Sequence, residues 1–149
     1  MKRNLTTAKG QELWRITLFA FACLPILLVL RMQLKNWLNI PIWDEWDTPG
    51  NALLHLAQHK LTWSDLLAQH NEARKFFPRL IYIAMNGPMG WDVRYGMVLT
   101  FLSAAALSVF FLRQLKQAGE NLTAQALFAW FLINLLLFGP SESENFLCG

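Results

Sequence analysis

Apolar positions in this chain gather into three blocks, near 14–34, 93–112 and 124–138, and the charged positions fall between them. Helices that cross a bilayer take about 20 apolar residues, so each block predicts a membrane span. In the first, Ile16 to Leu30 carries no charge, Arg15 and Arg31 flank it, and Trp14 and Trp37 stand where interfacial aromatics sit. Pro25 predicts a bend there. A basic N-terminus before a short apolar stretch also suits a secretory signal. The segment Arg31-Met32-Gln33-Leu34-Lys35 offers no small-residue cleavage site, however, and an uncleaved anchor is the preferred reading. The second block opens after Trp91 and closes at Arg113. Its Ser103-Ala104-Ala105-Ala106 run and Ser108 are small enough for close helix packing. The third is capped by Thr123 or Asn121 and stopped by Gly139-Pro140.

Between the first two blocks the pattern changes to short amphipathic pieces. Thr48-Pro49 reads as an N-cap followed by proline in the first turn, opening a helix over Asn51 to His59. Thr62-Trp63-Ser64-Asp65 reads as a capping box with Asp in the usual Glu position. Phe76 to Met85 is apolar but too short to span, and predicts a helix lying along the membrane interface. The predicted architecture is all-α and polytopic: an N-terminal segment 1–13, span 14–34, a helical outer loop 35–92, span 93–112, a turn 113–123, span 124–138, and the start of a second outer loop at 139–149.

Composition supports this division. The chain is 54% hydrophobic and 15% charged, against about 25% charged in an average soluble domain. Its Lys and Arg residues form no basic stripe, which argues against a nucleic-acid partner and leaves the lipid bilayer as the expected one. Cys23 and Cys148 form no metal or redox spacing and read as structural thiols. Basic residues are dense in the short flanks (Lys2, Arg3, Lys9, Arg15, Arg113, Lys116) and diluted by acids in the long loop. That density predicts a cytoplasmic N-terminus and an external loop 35–92. The last residues, Glu144-Asn145-Phe146-Leu147-Cys148-Gly149, follow an apolar helix with neither a basic anchor nor a polar tail, the pattern expected of a piece of a longer protein.

Two clusters in the loop carry candidate chemistry. The box Trp43-Asp44-Glu45-Trp46-Asp47 places three carboxylates just past the first span. Carboxylates at a membrane surface are costly unless solvated, paired or used. Asp44, Glu45 and Asp47 are therefore the candidate catalytic residues, as bases or ligands. The stretch from His70 to Arg79 supplies Arg74, Lys75 and Arg79 as candidates for phosphate oxygens, with Glu72 and His70 as candidate ligands of a divalent metal ion. An acid beside cations is the minimum equipment for glycosyl transfer from a lipid phosphate. His55 and His59 share a helical spacing but lack the following Glu of a zinc-protease helix, and read as solvated positions.

The ordered set resembles the N-terminal part of the GT-C superfamily of integral membrane glycosyltransferases, which includes the protein O-mannosyltransferases and the lipid A aminoarabinose transferases. It runs from a first span to a loop opening with Asp44-Glu45, a basic stretch with Lys75-Phe76-Phe77-Pro78, a short interfacial helix, and Arg94 at the mouth of the second span. The basic stretch keeps the Lys and one Pro of the family's pattern but not its Lys-Pro-Pro run. The resemblance implies Asp44 as the base or acceptor-orienting carboxylate, supported by Glu45. It implies a polyprenyl-phosphate sugar donor held through Arg74, Lys75 or Arg79, and Glu72 as an acidic ligand to a metal. It also implies transfer to an acceptor hydroxyl with inversion at the outer face of a plasma membrane such as the bacterial inner membrane. Members have more spans than these three and draw substrate residues from later loops, so the chain is expected to be their N-terminal portion and inactive by itself. The competing reading is a small non-enzymatic membrane protein, an assembly or flippase-like accessory subunit, or an inactive gene fragment.

Overall fold

The computed structural model describes residues 2–70, 73–86, 90–119 and 122–148. The chain is an all-α membrane protein. Its helices are α1 (Lys2–Lys35), α2 (Asn51–Ala57), α3 (Trp63–Leu67), α4 (Phe76–Asn86), α5 (Arg94–Ala118), α6 (Ala124–Leu137) and α7 (Ser143–Cys148). A two-residue antiparallel pair, β1 (Gln69–His70) with β2 (Ala73–Arg74), joins α3 to α4. Three segments are long and apolar enough to cross a membrane: Gly10–Lys35, Arg94–Ala118 and Ala124–Leu147. The chain divides into two compact units, Met1–Asn36 with Thr100–Leu147, and Trp37–Leu99 with Cys148–Gly149.

In the first unit α1 packs on α6 around Ala22, which is fully buried beside Leu127 and Trp130. A side chain as small as Ala22 lets the two backbones approach. Asn134 of α6 exploits this by donating from Nδ2 to the Ala22 carbonyl at 2.9 Å. Its Oδ1 accepts from Ser108 of α5 at 2.6 Å, and Trp130 Nε1 donates to the Ser108 carbonyl at 3.1 Å. One buried polar knot thus ties all three helices. Polar groups in a membrane-spanning bundle must find partners inside it. The small residues of α5 divide: Ser108 enters the knot, Ala104 and Ala105 pack on the Val29–Phe138–Phe146 cluster, and Ser103 and Ala106 do not. Pro25 sits inside α1, and Cys23 is a free thiol packed at the Ala22 cluster. Thr123 caps α6 by accepting from Ala126 N–H at 3.1 Å.

The chain does not trail off after Gly139. A turn over Pro140–Glu142 leads into α7, which buries Phe146 stacked on Phe138 at 5.6 Å and receives a 2.7 Å hydrogen bond on the Phe146 carbonyl from Gln33 Nε2. The polar pattern of 139–149 predicts no helix here. Contacts with α1 and Phe138 supply what local sequence does not.

The second unit holds α2, α3, α4 and the first turns of α5. The capping box forms as its pattern predicts: Asp65 N–H donates to Thr62 Oγ1 at 3.3 Å and Thr62 N–H donates to Asp65 Oδ2 at 2.8 Å. The Thr48-Pro49 signal works differently. Thr48 is extended (φ −143°, ψ 109°) just before the helical turn, as an N-cap should be, and the Thr48–Pro49 peptide is cis. Its hydroxyl accepts from Arg79, however. Helix α2 stops at Ala57, two residues short of its predicted end, because His59 turns left-handed (φ 56°). His59 N–H then donates to the Leu56 carbonyl and Lys60 N–H to the His55 carbonyl at 2.8 Å, closing the helix in a Schellman motif that usually takes glycine.

Helix α4 is amphipathic in the reverse of the soluble sense. Arg79 and Asn86 are buried, while Phe77, Leu80 and Ile81 are exposed, Phe77 at 73%. Such a helix fits an interface where the medium outside is lipid.

Candidate functional site

Arg79 is 5% exposed. Its Nη1 donates to the Leu66 carbonyl at 3.1 Å and to the Ala68 carbonyl, and its Nη2 donates to Thr48 Oγ1 at 3.2 Å. The guanidinium joins the end of α3, the turn before α2 and α4 in one contact, and its acceptors among the described residues are all neutral. Sequence reasoning offers Arg79 to a donor phosphate. In the fold its Nη1 is spent on two backbone carbonyls and its Nη2 donates to the Thr48 hydroxyl, so it also builds the site.

That wall closes an open cleft of about 350 Å³, lined among others by Asp47, Thr48, Asn51, His55, Asp65 and Arg79. Asp47, the last residue of the acidic box, is exposed at its mouth. Opposite, His55 Nδ1 lies 3.1 Å from Asp65 Oδ1, at ion-pair distance but off the line of a hydrogen bond. The two carboxylate oxygens of Asp65 have separate partners: Oδ2 takes both the hydroxyl (2.7 Å) and the N–H of Thr62, leaving Oδ1 to His55. These Thr62 hydrogen bonds, with a smaller contribution from His55, hold the Asp65 carboxyl below the ordinary 3.8.

Sequence reasoning sets His55 aside as a solvated helix position paired by spacing with His59. The early stop of α2 removes that pairing. His55 enters the polar cleft, and His59 enters a separate apolar cleft of about 860 Å³ beside Trp46, Leu53, Ile83 and Trp91. The capping box was the available signal, since it fixes where the Asp65 carboxylate must be. Nothing in the local pattern shows that α2 delivers an imidazole to it.

Glu45 does not face the cleft. It is buried, and its Oε2 accepts from Ile42 N–H at 2.7 Å, tying the acidic box into a turn. Burial raises its pKa above the ordinary 4.5, and the Ile42 hydrogen bond offsets part of that rise. Trp46 of the same box donates from Nε1 to the Pro41 carbonyl at 3.1 Å and meets Trp91 edge-on, ring centroids 5.3 Å apart. Gly50 follows where only glycine fits, since a Cβ would stand 2.9 Å from both the Glu45 carbonyl and the Trp91 ring.

The backbone of Asp44 belongs to the helical turn Trp43–Glu45, and those of His70 and Arg74 to β1 and β2. The side chains of Asp44, His70 and Arg74, and all of Glu72, lie outside the described residues. Lys75 is half-buried. Arg94 opens α5 and donates from Nε to Asp92 Oδ1 at 2.9 Å, which holds the Asp92 carboxyl below the ordinary 3.8. Among the described residues no three His, Cys, Asp or Glu side chains gather as a metal site. No protein-family model, curated protein or solved structure matches this chain.

Proposed function

We propose that the chain is the N-terminal portion of a membrane glycosyltransferase that moves a sugar from a polyprenyl-phosphate donor to an acceptor hydroxyl at the outer membrane face. The observation that carries the reading is the polar cleft, where Asp47 of the acidic box shares one open space with His55, Asp65 and Arg79. Carboxylates and an imidazole suit hydroxyl groups, and the Arg79 charge favours the developing anionic oxygens of a phosphate leaving group. Asp44 orients the acceptor hydroxyl, and Arg74, Lys75 or Arg79 holds the donor phosphate. The exposed apolar side of α4 supports a position at the bilayer surface, where such a donor keeps its head group. The neighbouring apolar cleft at Trp46 and Trp91 is suited to a prenyl chain. A reporter fused near residue 60 should read as external; a cytoplasmic signal would reverse the topology.

The test uses the complete protein in proteoliposomes with polyprenyl-phosphate-linked mannose and aminoarabinose, reading release of polyprenyl phosphate. Asp44→Asn should cut turnover on the order of 100-fold or more with membrane insertion intact. Turnover equal to wild type would sink the assignment, and a wild-type protein that releases nothing would favour the non-enzymatic accessory.

A further inference from the structure

We infer that His55, oriented by Asp65, is the general base of the site and takes the proton of the attacking acceptor hydroxyl. The inference rests on the glycosyl-transfer reading and names the base that reading leaves open. The Asp65 carboxylate is immobilised through Oδ2 by Thr62, so Oδ1 is fixed where His55 Nδ1 lies, 3.1 Å away. Nδ1 is sealed from solvent, whereas the His55 side chain keeps 40% of its surface exposed. The nitrogen left accessible to the cleft is therefore Nε2. Rotation of the imidazole about its soft χ2 is the motion that would bring the Nδ1 hydrogen onto Oδ1. That hydrogen bond selects the tautomer in which Nε2 has a free lone pair. A carboxylate-oriented imidazole is also poised to carry positive charge for the duration of the transfer.

The charged groups around His55 fit this role. Asp65 faces it from α3, Asp47 from the turn before α2, and Arg79 from α4, while Lys60 follows on its own segment. Two carboxylates line the cleft beside the imidazole, and the Arg79 guanidinium donates to carbonyls and to Thr48. In the step itself, the acceptor oxygen forms a bond to the anomeric carbon. The bond from that carbon to the phosphate oxygen breaks, its electron pair leaves with polyprenyl phosphate, and the acceptor proton passes to Nε2.

The experiment measures polyprenyl phosphate release by the complete protein from about pH 5 to 9, the range an imidazole base spans. His55→Gln should lower kcat by roughly 100-fold or more, leave KM nearly unchanged, and abolish the acid limb of the pH profile. His55→Ala should recover part of its turnover with added imidazole. Asp65→Asn keeps an oxygen for Thr62 N–H, so it preserves the cap. Nitrogen-15 spectra of labelled histidine should show His55 protonated at Nδ1 in the wild type and lose that tautomer in Asp65→Asn. If His55→Gln matches wild type while Asp44→Asn is inactive, the inference is overturned and the transferase reading stands. His55 protonated at Nε2 regardless of Asp65 would also overturn it. A wild type with no turnover removes the transferase reading and the base with it.

Discussion

The two units treat polar side chains in opposite ways. In the helix bundle every described buried polar group is locked onto a fixed partner: Asn134 between Ser108 and Ala22, Trp130 on Ser108, Gln33 on Phe146. In the loop unit the buried residues Arg79, Thr48, Asn86 and Glu45 are also internally bonded. Around them, though, Asp47, His55 and Asp65 present chemistry to an open cleft. The contrast separates architecture from function. A polar residue whose bonds are all spent holds the fold. One anchored on one side and open on the other, as His55 is, can act on something else.

The largest test of this contrast is Arg79→Met. It leaves the Leu66 and Ala68 carbonyls and the Thr48 hydroxyl without their donor, and should cost the loop unit about 3 kcal/mol. Thermal unfolding in detergent, followed by tryptophan fluorescence, reads it. A loss below about 1 kcal/mol would mean that Arg79 is not the strut described. The bundle counterpart is Asn134→Leu, with a smaller expected cost of about 1 kcal/mol, because a helix unfolded within the membrane still finds partners for Ser108 and the Ala22 carbonyl. Should Asn134→Leu prove the costlier of the two, the contrast between the units would have the wrong sign.

The subtlest test is pH. Burial raises the Glu45 pKa, so the folded loop binds a proton more tightly than the unfolded chain does. Its contribution is therefore fully present below the ordinary 4.5 and declines as pH rises through the elevated folded value. Glu45→Gln should flatten that decline. Asp92, whose carboxyl is lowered by Arg94, contributes in the opposite sense, with stability lost as pH falls below 3.8. A Glu45→Gln variant with an unchanged profile would show that the Glu45 carboxyl does not titrate against folding.

What the sequence alone determined is what depends on local periodicity and local bonds. The apolar blocks specify the helices, because backbone groups in lipid can be satisfied within a single helical segment. The Thr62–Asp65 box and the Thr123 cap were legible because both partners lie within three residues of each other. The acidic box was visible, but not its division of labour, with Glu45 turned inward and Asp47 left at the cleft. Tertiary structure alone decided that Arg79 is buried, that Asn134 rather than the alanine run centres the bundle knot, that residues 143–148 fold as α7, and that His55 meets Asp65. Each of these turns on a contact between segments distant in the chain. Its free energy comes from desolvation and packing that no local pattern encodes.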